Sequence, residues 1–556
     1  MRMIDRRQFV GGGLALAMTA PMRARALAGG TLDVAYINAK VWTGQGLTAR
    51  SDAVGTIGNH IAALGAAEVK ARTGRGTKVV DLQGAFVVPG MTDCHTHFAR
   101  ASLMLSRPSL RDADTPAEYT RRIAVAAKAL PKGEWLQGGN WDADRWGGEL
   151  PKKEWIDAVT PDTPVAVIRY DLHMLALNSL ALKLAGIDRH TPDVPGGMIV
   201  RDANGEPTGI LKDAARDLVT RVIPQPTDAQ VEAAIRKGIE LGLSHGVTQV
   251  HNTDVDWVTH DALRRMRARG ETDMRFYSFT PIKDWERTAA LVKAEGKGDD
   301  WVRWGASKLV YDGSLGSRTA LFYDPYEDEP DTRGYAINKV EDVRHWMLGA
   351  DRAGFQIAAH AIGDEANDTV LDLMAEVART NGARDRRFRI EHAQSLSKAA
   401  LPRFAKQNVI ASVQPYHAID DGRWAIKRIG AERLTRTYAF HSLVASGAHV
   451  CCGSDWPVAP LDPRTGMKAA VLRETLDGKY PHGWYPEQRI SLASALAGYT
   501  REAGYSGITE DRMGRLAPGY LADLVVLDRD LFAIDPETLD QVKVLRTIVD
   551  GTQRFG

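Results

Sequence analysis

Short apolar runs alternate with stretches of helical periodicity over most of the chain. Eight such runs can be recognised: AFVVPGMTDCH, GVTQVHN, MRFYSFT, VRWGASKLVYDG, FQIAAHAIGD, FRIEHAQ, VIASVQP and HVCCGSDWP. Helical sequence fills the gaps, as in DAQVEAAIRKGIELGLSHG before the second run. Alternation of this kind is typical of βα units around a parallel sheet, and eight units close a TIM barrel. The pattern therefore predicts an α/β protein with a (β/α)8 TIM barrel.

The two ends of the chain have a different pattern from the middle. Short strand-like runs bounded by glycine, such as DVAYINAKVWTG, occur before the first barrel run. Runs with the same pattern occur near the C-terminus, in GYLADLVVLDRD and KVLRTIVDGTQRF. We therefore predict a flanking β-sandwich built from both termini, residues 29–86 and 501–556, around a barrel of residues 87–500.

One gap between the barrel runs is too long for a single helix. About residues 99–227 separate the first run from the second, and this segment has strand and helix signals of its own, including DTPVAVIRYDLHMLALNSLALKLAG. It predicts an insertion after barrel strand 1.

Residues 1–28 differ from everything that follows. Arg6 and Arg7 precede a short Gly- and Ala-rich apolar stretch that ends in Ala26-Leu27-Ala28, which is an A-x-A cleavage pattern. This resembles a twin-arginine signal peptide. A membrane-anchoring helix is the alternative, but the apolar run is shorter than the roughly 20 residues that span a bilayer. We expect a periplasmic or secreted protein, exported by the twin-arginine route and without a membrane partner after cleavage.

Charge and cysteine content argue against two classes of protein, those that bind nucleic acid and those held together by disulfides. The chain has 71 Lys and Arg against 70 Asp and Glu, so its formal net charge of +1 gives no reason to expect nucleic acid as a partner. Cys94, Cys451 and Cys452 are too few for a disulfide framework. All three are predicted to pack in the interior.

Polar residues that can bind metals end several of the barrel runs. Barrel active sites form at the C-terminal ends of the strands, and the residues predicted there are His95, His97, Lys308, Asp312, His360, His392 and Asp455. Imidazole and carboxylate are ligands of Zn²⁺, and a catalytic site keeps one position open. For each histidine alone, the alternative is a strand-end or core residue satisfied by hydrogen bonds. Their coincidence at strand ends favours a metal site.

Five segments together carry a resemblance to a known family. PGMTDCHTH, KLVYDGSLGSRTALF, HAIGD, IEHAQ and GSDWPV resemble the amidohydrolase superfamily, and specifically the amidohydrolase family 3 branch with N-substituted formamide deformylase-like enzymes. The likeness extends into the insertion through RYDLHMLALNS and GGMIVRDANGEPTGIL. It implies a metal-dependent hydrolase with a (β/α)8 barrel and a β-sandwich.

The resemblance also implies which residues hold metal. His95 and His97, with Asp455, would bind the more buried ion, and His360 and His392 would bind a second. We thus expect one or two divalent metals per chain, with Zn as the expected element.

Lys308 stands where relatives often carry a carbamylated lysine that bridges two metals. An ammonium group has no lone pair, so Lys308 is a ligand only if it is carbamylated or deprotonated. The alternative is a salt bridge to Asp312 or to substrate.

The resemblance implies hydrolysis by metal-activated water, with Asp455 as general base and His173 or His392 next to the developing oxyanion. Trp141, one of several insertion tryptophans, is a candidate for an aromatic wall over the substrate, with core packing as the alternative. Arg318 is a candidate ligand for a substrate carboxylate, with a loop salt bridge as the alternative. His173 is a candidate substrate contact as well as a catalytic one.

The leading hypothesis is a metal-dependent amidohydrolase that cleaves a non-peptide C–N bond in a small amide, formamide or cyclic amide. Two alternatives stay open, because a fold does not fix a function. One is a deaminase or another hydrolase on the same metal site. The other is a periplasmic protein that binds metal without turnover. A homo-oligomer is compatible with the sequence, but nothing in the chain marks an interface.

Overall fold

The computed structural model describes residues 29–131, 133–254 and 256–556. The described chain begins with short strands and one helix. These are β1 (Val34–Ile37), β2 (Lys40–Trp42), β3 (Arg50–Ser51), β4 (Val54–Ile57), β5 (His60–Leu64), α1 (Ala66–Ala71), β6 (Lys78–Asp81) and β7 (Phe86–Pro89). The first barrel strand and its helix follow as β8 (Met91–Thr96) and α2 (Phe98–Met104).

The long gap after the first barrel strand folds as a separate α/β insertion. Its elements are α3 (Pro116–Ala129), β9 (Leu136–Trp141), α4 (Lys153–Asp157), β10 (Val165–Arg169), β11 (Met174–Leu177), α5 (Ser179–Leu184), β12 (Gly197–Arg201), β13 (Pro207–Asp213) and α6 (Asp217–Thr220). The strands form one sheet in the order β12-β13-β11-β10-β9. Apolar side chains of this sheet and of α3 bury a core of their own.

The chain then returns to the barrel. The elements are α7 (Asp228–Ser244), β14 (Val247–Asn252), α8 (Trp257–Ala268), β15 (Arg275–Pro281), α9 (Trp285–Glu295), β16 (Val302–Val310), α10 (Val340–Arg352), β17 (Gln356–Ala361), α11 (Asp364–Asn381), β18 (Arg389–His392), α12 (Leu401–Lys406), β19 (Ile410–Val413), α13 (Pro415–Asp421), α14 (Ala425–Leu434), α15 (Phe440–Ala445), β20 (Val450–Cys452), α16 (Pro463–Leu472), α17 (Leu492–Gly498) and α18 (Arg501–Ser506). The last strands are β21 (Leu524–Leu527), β22 (Val544–Val549) and β23 (Thr552–Phe555).

Eight parallel strands form the barrel wall. Their order in the sheet is β20-β19-β18-β17-β16-β15-β14-β8. The two outer strands meet at their C-terminal ends, where the His97 amide donates to the Trp456 carbonyl (2.9 Å) and the Asp455 amide donates to the His95 carbonyl (2.7 Å). All eight predicted runs contribute to this wall, and the predicted barrel is confirmed.

Local sequence explains where the helices begin. Thr227 and Gln230 form a capping box at the start of α7, in which each side chain bonds to the other residue's backbone amide. The apolar face of α7 includes Ile235 and Ile239, which pack against the barrel strands with the neighbouring α2 and α8. The amphipathic pattern thus places a helix on the outside of the wall.

The flanking β-structure consists of two sheets. One has the order β5-β4-β1-β6, and the other has the order β23-β22-β21-β7-β2-β3, so the second contains strands from both ends of the chain. The run AFVVPGMTDCH is divided: Phe86–Pro89 pairs in this second sheet, and Met91–Thr96 enters the barrel. Helix α18 packs against barrel strands β8 and β20. Barrel contacts therefore extend slightly beyond residue 500.

The predicted signal peptide, residues 1–28, lies outside the described residues. In the part of the chain that the structure describes, every helix is too short or too polar to cross a lipid bilayer. Cys94, Cys451 and Cys452 are buried free thiols, as predicted.

Candidate metal centre and substrate cavity

The C-terminal ends of the barrel strands bring three predicted metal ligands to one point. One ligand atom each from His95, His392 and Asp455 lies within 4.8 Å of the others. The rings of His97 and His360 lie beside them, since the ring centroids of His95 and His97 are 5.7 Å apart and those of His360 and His392 are 4.5 Å apart. The strand ends thus collect the four histidines and the carboxylate that the sequence predicted there.

Carboxylates behind His95 and His97 fix which ring nitrogen faces the cavity. Glu391 lies 2.6 Å from Nδ1 of His95, and Asp254 lies 3.1 Å from Nδ1 of His97. Because an ionised carboxylate only accepts hydrogen bonds, each Nδ1 carries a proton, and in the neutral ring Nε2 has the lone pair that a metal ion needs. These Nε2 atoms lie 3.4 Å and 3.2 Å from Oδ1 of Asp455.

Oδ1 of Asp455 is buried and accepts no hydrogen bond from the residues that the structure describes. Burial alone would raise the pKa of Asp455, but His95 and His97 hold it well below its ordinary value. Asp455 has φ = 61° and His392 has φ = 73°, in the left-handed region that costs a residue with a side chain about 1–3 kcal/mol. Strained backbone at both positions is typical of a functional site.

These atoms fit a divalent cation. Two imidazole nitrogens and a carboxylate oxygen face one another, and a buried carboxylate without a hydrogen-bond partner is costly. Although burial opposes the shift, Asp254 and Asp455 raise the pKa of His97, so this group of atoms favours a positive charge, which a bound cation would supply. Imidazole and carboxylate are ordinary Zn²⁺ ligands, and histidine ligands commonly bond to a carboxylate through the other ring nitrogen. The pairs Glu391–His95 and Asp254–His97 have this form.

Lys308 reaches the same point from β16. Its Nζ lies 3.4 Å from Nε2 of His95, and burial lowers its pKa although Glu391 and Asp455 oppose the shift. Asp312 is occupied elsewhere, because it accepts hydrogen bonds from the backbone amides of Leu321, Ile362 and Gly363. The alternative role of Lys308 as a salt-bridge partner of Asp312 is therefore not supported.

His360 and His392 form the other half of the cluster. Nε2 of His360 donates to the Gly313 carbonyl (3.1 Å), which leaves Nδ1 as the atom with a lone pair. Nδ1 of His392 is buried without a hydrogen-bond partner among the described residues. Burial, followed by neighbouring positive groups, holds the pKa of both rings well below the ordinary value. Both imidazoles are thus neutral and able to act as ligands.

A buried ionic cluster supports the ligands from below, and sequence reasoning missed it. Arg389 binds Glu391 through Nε (2.8 Å) and Nη2 (3.1 Å), and it also donates to His251 (2.8 Å). Glu391 directly precedes His392 in an otherwise apolar run, and a charged pair in such a run was the available signal. His251, which was left out of the predicted ligands, supports the site through Arg389.

The loop after β20 approaches β8 closely. Asp93 accepts hydrogen bonds from the backbone amides of His95 (3.1 Å) and Ser454 (2.9 Å), and burial raises its pKa to about 7. A Cβ atom on Gly453 would lie 2.5 Å from the His95 nitrogen. Glycine is therefore required where this loop delivers Asp455 to the metal ligands.

The ligands face an open cavity of about 260 Å³. The insertion closes one side of it with Tyr170, Leu172 and His173, and the barrel supplies His417. Nδ1 of His173 lies 2.6 Å from Asp213, so this ring is fixed at the cavity wall 5.6 Å from the ring of His360. Sequence reasoning missed His417, whose Nε2 lies 3.9 Å from Oδ2 of Asp455.

Two predicted substrate contacts are wrong. Trp141 is fully buried in the core of the insertion, and its Nε1 donates to the Val167 carbonyl (2.9 Å), so the side chain does not reach the cavity. Arg318 forms a fork on Asp328 (3.0 and 2.9 Å) and is absent from the cavity wall. In each case, core packing or a loop salt bridge is the role that the structure gives.

Ionic contacts hold the insertion over the barrel. Arg111 of the insertion binds Asp420, and Arg423 of the barrel binds Asp142 (2.8 Å). Asp171, at the cavity wall, accepts hydrogen bonds from loop hydroxyls after β16. The side of the cavity that the insertion supplies is therefore fixed to the barrel.

Comparisons with known proteins agree with this geometry. A family model described as the amidohydrolase family matches residues 78–555. Protein LONG AFTER FAR-RED 3 of Arabidopsis thaliana is 37% identical over 95% of this chain and 92% of its own length. N-substituted formamide deformylase of Arthrobacter pascens is 29% identical over 94% of this chain and 98% of its own length.

A solved structure shows the same architecture. An uncharacterized metal-dependent hydrolase from Pyrococcus horikoshii OT3 matches with a TM-score of 0.74 and 28% identity, covering 91% of this chain and 99% of the other. The family match spans most of the chain and includes every element that supplies a cavity residue named above. This chain belongs to the amidohydrolase family, and its fold is that of a metal-dependent hydrolase.

Proposed function

We propose that the protein is a metal-dependent hydrolase that cleaves a non-peptide C–N bond in a small amide, formamide or cyclic amide. The observation that carries the proposal is the placement of the ionised Asp455 carboxylate. Its Oδ1 lies 3.4 Å and 3.2 Å from the Nε2 atoms of His95 and His97, at the floor of an open cavity. Membership of the amidohydrolase family and the deformylase relative support this chemistry.

His95, His97 and Asp455 would hold one divalent ion, with Zn as the proposed element. A second ion would be held by His360 and His392, and Lys308, if carbamylated, would supply a further oxygen ligand. Bound metal supplies Lewis-acid activation of water and of a carbonyl group at neutral pH. The lowered pKa of Lys308 favours the carbamate, because a neutral amine is the form that reacts with carbon dioxide.

Asp455 is the proposed proton acceptor. Its pKa lies well below the ordinary value, so it is ionised at neutral pH. Oδ1 faces the proposed ion, and Oδ2, on the side of His417, can take a proton from the attacking water. The same low pKa makes the protonated form a ready donor to the leaving nitrogen. A single carboxylate can thus hold the proton in both steps.

The histidines at the wall orient the reacting group. His173 is held by Asp213 at 2.6 Å and faces the cavity beside His360. With Nδ1 donating to Asp213, a ring that is also protonated on Nε2 can donate to the substrate carbonyl oxygen without reorganisation, which stabilises a developing oxyanion. His392, whose ring centroid lies 4.5 Å from that of His360, is the second candidate for this role in a site with a single ion, where it is not a ligand.

Export remains part of the proposal. The twin-arginine pattern of residues 1–28 supports a periplasmic or secreted location for a protein that acts on small molecules. Cell fractionation with and without the first 28 residues tests this point separately from the chemistry.

A substitution at Asp455 tests the function. Asp455→Asn should lower turnover of an amide and formamide panel by at least about 100-fold, because general-base catalysis contributes about that much or more. Asp462→Asn is the matched control and should keep wild-type rates. Asp462 lies in the loop after the same strand, and its carboxylate pairs with Arg464 outside the cavity. Near-normal rates in Asp455→Asn with metal restored would refute the role, and no hydrolysis of any panel member by the wild type would refute the function.

A further inference from the structure

A second cavity lies next to the proposed active site. It has a volume of about 420 Å³ and is bounded by α2, which follows the metal-ligand strand, by the insertion sheet and by the segment that leads into α7. Nothing in the proposed mechanism uses this cavity. Arg100 and Arg216 line both cavities, so they stand at the junction between the two.

Most of the second cavity wall is apolar. Side chains from α2, the insertion sheet and the segment before α7 contribute, among them Leu103, Met104, Ile168, Leu175 and Ile223. Apolar walls with a few placed polar groups are typical of sites for small molecules. The wall therefore fits the hydrocarbon part of a ligand.

The charged groups in this wall are three arginines and the carboxylates of Asp217 and Asp256, and among the arginines Arg107 has no carboxylate partner. The side chain of Arg107 is half-buried and makes no hydrogen bond or ion pair with any residue in the described part of the chain, and burial lowers its pKa. Arg100 is exposed and interacts at longer range with Asp254 and Asp256. An unpaired cation that is partly removed from water is unfavourable, and an anionic ligand would offset that cost.

Arg216 adds a fixed positive charge at the junction. Its Nε donates to the Asp213 carbonyl (2.9 Å) and its Nη1 donates to the Leu172 carbonyl, so backbone contacts hold the group in place. The carboxylates of Asp213, Asp217 and Asp171 attract it at longer range and balance part of its charge. Arg100 lies close enough to repel it. Two like charges in the wall that both cavities share favour an anion beside them, and guanidinium groups match carboxylate geometry.

We propose that the substrate is an amide whose apolar body carries a carboxylate, and that the second cavity binds this body while Arg100, Arg107 and Arg216 bind the carboxylate. This inference rests on the proposed function for the identity of the reacting group. The amide lies in the first cavity beside Asp455, and the remainder passes the junction into the second cavity. The shared lining residues are what allow one molecule to occupy both.

Isothermal titration calorimetry of the full metal-loaded chain with two probes of similar shape tests the proposal. 4-Phenylbutyrate has the carboxylate, and 4-phenylbutan-1-ol is its neutral counterpart. The acid should bind about ten-fold more tightly than the alcohol, since hydrogen bonds between charged partners are the stronger ones. Arg107→Met should remove this preference and leave the binding of the alcohol unchanged.

Two further variants locate the binding. Val258→Trp, at an exposed position in the cavity wall, should weaken both probes by filling space. Arg379→Met removes an arginine that lines a separate cavity at the N-terminal end of the barrel strands, and it should behave as the wild type. Equal affinities for acid and alcohol in the wild type would overturn the proposal. So would a preference that survives Arg107→Met, or one that disappears when metal is removed, because the acid would then bind the metal.

These measurements need no turnover, so they are separate from the test of C–N hydrolysis. If neutral amides are hydrolysed as well as acidic ones and the acid probe shows no preference, the hydrolase function stands and the carboxylate class is wrong. If the acid probe binds as expected and no amide is hydrolysed, the second site stands and the proposed reaction is wrong.

Discussion

Replacing Glu391 by glutamine tests whether the carboxylate behind His95 sets its ligand form. Glu391 is fully buried and accepts from Nδ1 of His95 (2.6 Å) and from two nitrogens of Arg389 (2.8 and 3.1 Å). Glutamine keeps the shape, removes the charge and replaces one acceptor oxygen by a donor. The single amide oxygen can accept from His95 and Nη2 of Arg389, or from Nε of Arg389, but the amide nitrogen then faces a donor on the other side.

Two magnitudes follow from these contacts. Loss of the partner that orients a metal-binding histidine typically costs about 10–100-fold in metal affinity. Leaving Arg389 buried without its counter-charge costs about 3–5 kcal/mol of stability, because the guanidinium has no water to replace the carboxylate. We therefore expect Glu391→Gln to bind Zn about 10–100-fold more weakly and to unfold at a lower urea concentration.

Competition with a zinc chelator measures the affinity, and urea titration measures the stability. Glu502→Gln is a matched control, because Glu502 also bonds to a histidine, His449 (2.8 Å), and to a neighbouring arginine, Arg501 (3.1 Å), outside the cavity. It should leave Zn affinity unchanged. Wild-type affinity in Glu391→Gln, or an equal loss in Glu502→Gln, would refute the reasoning.

Two further outcomes are expected. Gly453→Ala should lower metal content and activity, because the new Cβ would lie 2.5 Å from the His95 nitrogen and the loop must shift; full metal content would contradict this. His260 is buried between Trp257 and Trp304, and burial lowers its pKa from 6.5 to about 4. As the pH decreases from 6.5 to 4, the imidazole therefore becomes protonated in the unfolded chain but not in the folded one. The free energy of unfolding decreases by about 1.4 kcal/mol for each unit by which the pH is lowered in this range. Urea unfolding of His260→Gln should thus show a stability difference from wild type that shifts in favour of the variant by about 3 kcal/mol between pH 7 and pH 4, and a pH-independent difference would contradict the assignment.

The barrel could be predicted because each of its strands is buried on both faces and so has a short apolar run in sequence. The predicted ligands could be found because a barrel places every strand end on one face, and His95, His360 and His392 end such runs. The division of the first run was not predicted. VVPGM reads as one apolar segment, yet Gly90 lies between a sandwich strand and a barrel strand.

The carboxylates that orient the ligands were missed for a different reason. Glu391 meets His95 across 296 positions, and Asp254 meets His97 across 157. With 70 acidic residues in the chain, no local pattern distinguishes the few that become buried beside an imidazole. Only the register of the closed barrel brings them together.

The errors at Trp141 and Arg318 have one cause. The residue types suggested an aromatic wall for the tryptophan and a contact to a substrate carboxylate for the arginine. The residues that surround each side chain in the fold determine its role instead. Trp141 lies at the end of a strand, and its side chain enters the core of the insertion. Arg318 pairs with Asp328, ten positions further along the chain. The three arginines around the second cavity belong to no sequence motif, and only the structure shows that Arg107 has no ion-pair partner among the described residues.

Metal content is the most direct test of the central claim that the barrel histidines hold metal. Elemental analysis of protein purified without chelator should find about one to two equivalents of divalent metal per chain, as expected for a catalytic site of this donor type. The His95→Ala/His97→Ala double variant should lose most of it while remaining folded. Absence of stoichiometric metal from the wild type, or equal metal in both proteins, would contradict the account.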